Sequence, residues 1–366
     1  MWGNELITNV TTINELKNYV RLTKLEENQF KKIVQYHPMN ITKYYLSLIN
    51  KKDKKDPIRT LIVPSTEEMN PEGFYDTSGE AENTKATGLQ NKYEQTALVL
   101  TTNECAAYCR HCFRKRLVGL SNKEVLQNFD DALNYIKKHK KINNVLLSGG
   151  DPLWLPTKTI EEFLSKLSKI PHLDFIRFGT RVPIVLPERI VEDKELLGLL
   201  KKYSKKDQRI YFVTHFNHVN EITKESIEAI DALINSNVII NNQTVLLKGV
   251  NDDPNVLAEL QSKLVSIGVS PYYVFQCRPV KRVKKHFQVP FYKGIKIVEE
   301  AKKKLNGHSK RFKYMMSHKI GKIEIIGIMN NEIYFKQHQA KNPKDLGKFF
   351  KRKLDKKAGW LDDLKK

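Results

Sequence analysis

Three of the four cysteines of this chain lie in one short stretch, as Cys105, Cys109 and Cys112, with the spacing C-x3-C-x2-C. An apolar segment, Thr96–Thr102, leads directly into that stretch and predicts a buried strand that ends in a ligand-bearing loop. Cysteine sulfur is the soft ligand that iron–sulfur clusters select. Three thiolates at this spacing can ligate three irons of a four-iron, four-sulfur (4Fe–4S) cluster. The sequence therefore predicts a cluster whose fourth iron is open to a small molecule.

Two other uses of these cysteines are open from the residues alone. A structural zinc site usually has four ligands in paired C-x2-C units, whereas Cys277 is distant from the triplet. His111 could be a zinc ligand, but its position between two candidate ligands strains simultaneous binding. A disulfide framework is typical of small secreted proteins, and four cysteines in 366 residues are few for one. The spacing favours the cluster.

Composition bounds the class of protein without naming a chemistry. With 366 residues and 40% hydrophobic content, the chain is long enough for a complete enzyme core. There is no run of about 18 apolar residues and no signal peptide pattern, so we expect a cytoplasmic protein without a membrane span. The net charge of +22 raises nucleic acid as a partner, but the lysines are scattered, which is typical of a solvated surface. We therefore do not expect nucleic acid as a partner.

From residue 96 onward, short apolar strands alternate with amphipathic helices, which predicts a parallel sheet covered by helices. The six predicted strands are 96–102, 145–148, 174–179, 209–214, 238–247 and 272–276. This pattern predicts an α/β fold, a partial (β/α)6 TIM-type barrel with its chemistry at the C-terminal ends of the strands. We assign 1–92 to an N-terminal helical and irregular segment, 93–290 to the barrel, and 291–366 to a C-terminal segment with a β-hairpin and a basic tail.

Three local patterns add to this prediction. A capping box at residues 121–124 predicts the start of a helix after the cysteine loop. Residues 71–92 are polar and contain glycine, which predicts a long loop on the surface. Residues 13–34 have helical spacing of apolar side chains and predict one helix or a pair.

Polar residues follow the predicted strands at the same end of the sheet. Gly149 and Gly150 follow the second strand and allow a ligand to approach the backbone, and Asp151 can accept hydrogen bonds from an ammonium group. His215 follows the fourth strand, and Gln243 lies in the fifth. A plain tight turn and a satisfied structural histidine are the alternatives. Their position beside the cysteine loop favours binding.

With these motifs the chain resembles the lysine 2,3-aminomutase family of radical S-adenosylmethionine (SAM) enzymes. The resemblance runs from about residue 41 to about residue 335 and includes the cysteine motif, the Leu-Ser-Gly-Gly-Asp151 stretch, and the stretches 180–187, 214–223, 242–251 and 271–277. It implies a reduced 4Fe–4S cluster that splits SAM into methionine and a 5′-deoxyadenosyl radical. It also implies pyridoxal 5′-phosphate (PLP), on which an amino group moves from the α- to the β-carbon of an amino acid. The implied enzyme is an isomerase.

The resemblance also implies roles for individual residues. The cysteines ligate the cluster, Gly149, Gly150 and Asp151 hold the amino group of SAM, and His215 and Gln243 belong to the cofactor site. Arg114 matches the arginine that grips the substrate carboxylate. Lys322, which follows Gly321, aligns best with the lysine that holds PLP covalently, and Lys319 is its competitor.

Several positions depart from the family pattern. Thr96 replaces an arginine near the cofactor phosphate, a multi-glycine turn is reduced to Gly321, and the structural zinc cysteines are missing. Arg278 and Met315 occupy the positions of two aspartates that hold the distal ammonium of lysine. The resemblance therefore implies a substrate other than lysine, with Arg278 in the substrate site and glutamate as the simplest candidate.

Partners follow from the implied chemistry. The family implies an electron donor of the flavodoxin or ferredoxin type, and a homo-oligomer is left open. An alternative from a different enzyme class is a radical SAM enzyme that has lost PLP and modifies a peptide or RNA.

Overall fold

The structure, a computed structural model, describes residues 9–365. Within these residues one twelve-stranded sheet organises the fold, and its strands neighbour one another in the order of the chain. The first five residues, on which the expectation of a cytoplasmic protein partly rests, lie outside the described range. The strands are β1 (Thr84–Ala86), β2 (Leu89–Tyr93), β3 (Thr96–Thr102), β4 (Asn144–Gly149), β5 (Phe175–Gly179), β6 (Arg209–Thr214), β7 (Val238–Leu246), β8 (Ser270–Gln276), β9 (Lys313–His318), β10 (Gly321–Met329), β11 (Glu332–Ala340) and β12 (Phe349–Lys353).

The centre of this sheet is parallel and its two margins are antiparallel. Strands β3 to β9 pair in parallel with their neighbours, whereas β1 to β3 and β9 to β12 pair antiparallel. Helices connect β3 to β8, so these six strands form the partial (β/α)6 barrel that the sequence predicted. The predicted and observed strand ends differ by at most two residues.

The helices lie mainly between the parallel strands, and α1 and α2 form the predicted helical pair. In residues 9–365 we find no helix that combines the length and the apolar character required to span a membrane. The helices are α1 (Ile13–Leu16), α2 (Lys24–Tyr36), α3 (Lys43–Ser47), α4 (Pro57–Ile62), α5 (Glu80–Asn83), α6 (Phe129–Lys138), α7 (Thr157–Leu167), α8 (Val182–Val185), α9 (Glu188–Val191), α10 (Lys194–Tyr203), α11 (Lys224–Asn235), α12 (Pro254–Ser266), α13 (Lys284–Phe287) and α14 (Phe291–Lys303).

Helix α6 shows how the sequence forms these connections. Asn128 caps its N-terminus by accepting a hydrogen bond from the Asp130 backbone amide at 3.0 Å. Its first turn is acidic and its last turn basic, which complements the helix dipole. Leu133 and Ile136 are buried on the face that packs against the sheet. Capping and amphipathicity together place this helix over the barrel.

Two local predictions were wrong. The capping box at 121–124 does not start a helix, because α6 begins at Phe129 and the Ser121 hydroxyl accepts only a local bond from the Lys123 amide. Residues 71–92 do not form a surface loop, since they contain α5, β1 and most of β2. This segment pairs antiparallel with β3, which brings several of its polar side chains into the interior.

The C-terminal segment is part of the sheet rather than an appendage. Strands β10 and β11 form the predicted hairpin, and β9 adds it to the barrel by pairing in parallel with β8. Only the end of the predicted basic tail packs inward, where Trp360 is 3% exposed and Gly359 accepts a hydrogen bond from the Gln276 side chain at 2.8 Å, whereas most residues of 341–357 are exposed. The sheet continues across residues 92 and 290, and the segment boundaries assigned there stay predictions.

Candidate active site

A cavity of about 590 Å³ opens at the C-terminal ends of the parallel strands. Every predicted site residue lies on its wall. These residues are Cys105, Cys109, Cys112, Arg114, Gly149, Gly150, Asp151, His215, Gln243, Arg278 and Lys322. The structure thus brings together residues from opposite ends of the chain, and their individual roles stay predictions.

The cysteine loop lies between this cavity and the N-terminal segment. The backbone amide of Arg110 donates to the Leu61 carbonyl at 2.9 Å, and the Asn40 side chain donates to the Cys105 carbonyl at 2.9 Å. All three thiols are free, and burial raises the pKa of Cys105 and raises that of Cys112 to about 11. Among residues 9–365, no three His, Cys, Asp or Glu side chains are grouped closely enough to hold a single metal ion. Three soft sulfur donors on one wall are the donor set that a three-cysteine cluster uses.

An arginine that the sequence analysis did not single out contacts one of these thiols. The Arg181 Nη1 atom lies 2.6 Å from the Cys109 sulfur, and Nη2 is hydrogen-bonded to Tyr45 at 3.2 Å and ion-paired with Glu221. Glu221 is fully buried, so its ion pair with Arg181 is shielded from water and holds the guanidinium in place. Hydrogen bonds to ligand sulfurs are among the factors that set the potential of a cluster. The only sequence signal was its place in a stretch that resembles the family.

A buried ion triad anchors the cysteine loop on its other side. Glu68 accepts from Arg110 at 2.6 Å and 2.9 Å and from the Lys115 ammonium at 2.6 Å. Burial alone would raise the pKa of Glu68, but the two cations reverse that effect and hold its pKa well below the usual range. Since Arg110 lies between two cysteines, the triad fixes the loop to the segment that carries Glu68.

We expect Glu68→Gln to destabilise the protein by about 3–5 kcal/mol, because it leaves two buried cations without a counter-charge. Urea unfolding of the cluster-free protein measures this change. The matched control is Glu67→Gln, since Glu67 is exposed and has the same side chain. Equal unfolding midpoints for the two variants would show that the triad does not stabilise the loop.

The glycine pair after β4 is required by close contacts with the loop that follows β3. Gly149 has a φ of +115°, a backbone conformation that residues other than glycine rarely adopt. A Cβ atom at Gly150 would lie 2.0 Å from the backbone oxygen of Glu104. The loop between β3 and the cysteines therefore packs directly on the glycine turn.

Asp151 is more strongly engaged than a free acceptor would be. Its carboxylate accepts hydrogen bonds from the Thr180 hydroxyl at 3.0 Å, the Arg181 amide at 2.7 Å and the Leu153 amide at 3.0 Å. Burial raises its pKa in spite of these bonds. It ties the ends of β4 and β5 together, and a carboxylate retains further acceptor capacity toward the cavity.

Arg114 is already paired with a carboxylate. Its guanidinium contacts Glu80 at 2.9 Å and donates to the Ser148 hydroxyl at 3.1 Å. Glu80 belongs to α5, in the segment that was predicted to be a surface loop, and it also pairs with Arg116. A substrate carboxylate would share Arg114 with Glu80. Its substrate role stays a prediction.

Lys322 lies inside the cavity and Lys319 lies outside it. The Lys322 ammonium is 4.8 Å from the ring centroid of Tyr273 and 5.9 Å from that of Phe275. Burial, with the nearby Arg177 guanidinium, lowers its pKa to about 7. The Lys319 side chain is 62% exposed and its ammonium is 4.0 Å from a carboxylate oxygen of Asp362. A lysine with a pKa near neutrality is partly uncharged at pH 7, and the uncharged amine is the form that attacks an aldehyde.

Arg278 points into the cavity. Its guanidinium donates to the Ser78 hydroxyl at 2.9 Å and stacks over the Phe113 ring at 4.2 Å. Burial lowers its pKa to about 10. Met315, the other residue that differs from the family pattern expected for the substrate site, is fully buried in β9. A cation and a thioether thus stand at the two positions where the resemblance implies aspartates.

Two more cations on the cavity wall were missed by the sequence analysis. Lys92 donates to the Ser78 carbonyl at 3.1 Å and to the His318 carbonyl at 2.5 Å, and burial lowers its pKa to about 7. Arg177 donates to the Asn144 side chain at 2.5 Å from the middle of β5. The available signal was an arginine inside an apolar parallel strand, where a charged residue is unusual.

The polar stretch after β6 contributes one side chain to the cavity wall. His215 lies there, and burial lowers its pKa to about 4 so that the ring is neutral at pH 7. Asn217 and His218 instead hydrogen-bond to backbone groups at 2.8 Å and 3.1 Å. Of the two histidines in this stretch, only His215 faces a ligand-sized space.

Comparison with known proteins adds evidence independent of this geometry. Residues 99–260 match the family model of the radical SAM superfamily. The chain is 40% identical to a putative L-lysine 2,3-aminomutase of Aquifex aeolicus over 96% of its length and 94% of the relative. It is 41% identical to L-lysine 2,3-aminomutase of Clostridium subterminale, over 84% of this chain and 72% of the relative. It is 39% identical to glutamate 2,3-aminomutase of Clostridioides difficile, over 81% of this chain and 70% of the relative.

Proposed function

Because this chain belongs to the lysine 2,3-aminomutase family of radical SAM enzymes, we propose that it is an amino acid 2,3-aminomutase. It moves an amino group from the α- to the β-carbon of its substrate. The observation that carries this proposal is the convergence of the cysteine triplet, the Gly149–Gly150 turn and Lys322 on one cavity. The cavity unites the elements that a radical source and a PLP site require.

The residues present fit three cofactors. Cys105, Cys109 and Cys112 would hold the 4Fe–4S cluster, the turn at Gly149 and Gly150 would receive SAM, and Lys322 would hold PLP. When bound, these groups supply an electron, a primary carbon radical and a π-system over which the migrating centre is delocalised.

The protein's own residues position reactants and exclude water. Tyr273 and Phe275 surround the Lys322 amine with apolar surface, which keeps a large fraction of it uncharged at pH 7. The neutral His215 ring can donate one hydrogen bond and accept another without adding charge to the cavity. The apolar side chains around the site would limit side reactions of a radical with solvent.

For the substrate we propose an amino acid with an anionic or neutral polar side chain, of which glutamate is the simplest. The side chain would lie near Arg278, whose guanidinium faces the cavity. Lys92 and Arg177 also line this cavity and make a second positive charge on the substrate still less favourable. Overall identity does not discriminate, because the lysine and glutamate enzymes are about equally similar to this chain.

We expect the wild type to turn over glutamate in preference to lysine, and Arg278→Asp to reverse that preference. A like-charge contact at about 4 Å costs about 1–4 kcal/mol at effective dielectrics between those of water and a protein surface, which is about fivefold to nearly a thousandfold in binding. The ratio of kcat/KM for the two amino acids measures the effect. Arg278→Met is the control, since it removes the charge without adding an opposite one. A wild type that prefers lysine would defeat the assignment of Arg278.

The free thiols and the need for an electron support a proposal for the compartment and for the electron donor. We place it in the cytoplasm, where free cysteines such as these four persist. A flavodoxin or ferredoxin type of protein would supply the electron.

A further inference from the structure

The proposed function requires one electron from outside the chain, so a reduced carrier has to dock close to the cysteine loop. The inner side of this loop faces the cavity. Its outer side is covered by the end of α2 and the residues that follow, because Arg110 donates to the carbonyls of His37 at 3.3 Å and Pro38 at 3.2 Å. The ring of Tyr75 packs edge-on against His37 with 6.3 Å between centroids. Tyr75 is therefore at the surface and one side chain away from the loop.

Around Tyr75 the surface combines exposed apolar side chains with cations. We define the docking face as Tyr36, Met69, Phe74, Tyr75, Lys281 and Arg282. Its four apolar members are between 36% and 70% exposed, although large apolar side chains are normally covered in a soluble protein. Lys281 lies over the Tyr75 ring at 5.3 Å, and the Arg282 guanidinium lies over the Tyr36 ring at 4.3 Å.

The docking face is attached firmly to the structure beneath the loop. Phe74 bridges to Val280 in parallel, with its amide donating to the Pro279 carbonyl at 2.9 Å. Arg282 donates to the carbonyl of Glu68 at 2.8 Å, and Glu68 is the acceptor that holds Arg110. Exposed aromatic and methionine side chains on a fixed support are typical of the centre of a protein interface.

We propose that this docking face binds an acidic one-electron carrier, a small protein with a reduced flavin or an iron–sulfur cluster. Lys281, Arg282 and the exposed Lys285 supply positive charge beside the apolar centre, on a chain of net charge +22. This charge attracts an acidic partner and disfavours a second copy of the same chain. On docking, the carrier would lose one electron to the cluster that Cys105, Cys109 and Cys112 would hold, and no bond would be formed or broken.

The test compares two triple variants with the same change in charge and apolar surface. The first is Phe74→Ser with Lys281→Glu and Lys285→Glu. The matched control is Phe349→Ser with Lys353→Glu and Lys356→Glu, near β12. In the control Phe349 is 65% exposed and Lys356 lies over the Tyr292 ring at 5.4 Å, much as Lys281 lies over Tyr75. Binding of an acidic flavodoxin to the protein without its cofactors is measured by calorimetry at two salt concentrations.

We expect the first variant to bind the flavodoxin more weakly than wild type by on the order of tenfold or more, with less salt dependence, and the control to match wild type. In the cluster-loaded protein, reduction by flavodoxin should slow to the same extent, while reduction by dithionite stays unchanged. Equal flavodoxin affinities for the two triple variants would overturn the proposal. A dithionite-reduced wild type that fails to cleave SAM would instead contradict the proposed function, and the binding comparison would still decide the docking face.

Discussion

Alanine at Cys105, Cys109 or Cys112 is expected to abolish both the cluster and the cleavage of SAM. The three thiols lie on one wall of the cavity, and a cluster with one open iron needs all three of them. Anaerobic reconstitution followed by iron analysis should fall from about four irons per chain to near zero in each variant. Production of 5′-deoxyadenosine should fall to background in the same samples.

Cys277→Ala is the control for this prediction. Cys277 is 2% exposed, burial raises its pKa to about 12, and it lines the same cavity as the triplet. We expect this variant to keep its iron. The assignment of the ligands would collapse if Cys277→Ala lost iron while Cys105→Ala retained it.

Lys322→Ala is expected to remove covalently bound PLP and to stop amino migration. The amine lies inside the cavity within 6.0 Å of three aromatic rings, and β10 contains no other lysine that could replace it. Borohydride reduction followed by peptide mass spectrometry locates the attachment site. Cleavage of SAM without rearrangement should remain detectable, because Lys322 and the cysteine loop belong to different elements.

Lys319→Ala is the matched control, three residues away on the exposed turn before β10. We expect it to retain PLP and activity. PLP attached to Lys319 in the Lys322→Ala protein would show that Lys319, and not Lys322, is the lysine that holds PLP. Wild-type protein that binds no PLP at all would favour the alternative radical SAM enzyme that acts on a peptide or RNA.

The sequence could predict the parts of this site that depend on local patterns. The cysteine spacing and the glycine pair each lie directly after an apolar strand, and strand ends meet at one edge of a parallel sheet. Lys322 could be predicted only through the resemblance, because a lysine before an apolar strand has no distinctive local pattern. The structure then distinguished it from Lys319 by burial.

The contacts that the sequence could not predict are long-range ion pairs. Glu80 and Glu68 lie in segments without clear periodicity, and nothing in those segments indicates that their partners are Arg114 and Arg110. The packing of the end of the basic C-terminal tail could not be predicted for a related reason. Its charges dominate its composition, whereas its packing depends on Trp360 and a few neighbours in a second hydrophobic cluster.

The strict agreement between strand order and chain order has a consequence for synthesis on the ribosome. Each strand that emerges finds its neighbour already made, so the sheet can grow from one edge without waiting for distant partners. The cysteine loop follows β3, but the lysine that completes the cavity arrives only with β10. A nascent chain therefore contains the three proposed iron ligands well before it contains Lys322, the proposed PLP lysine.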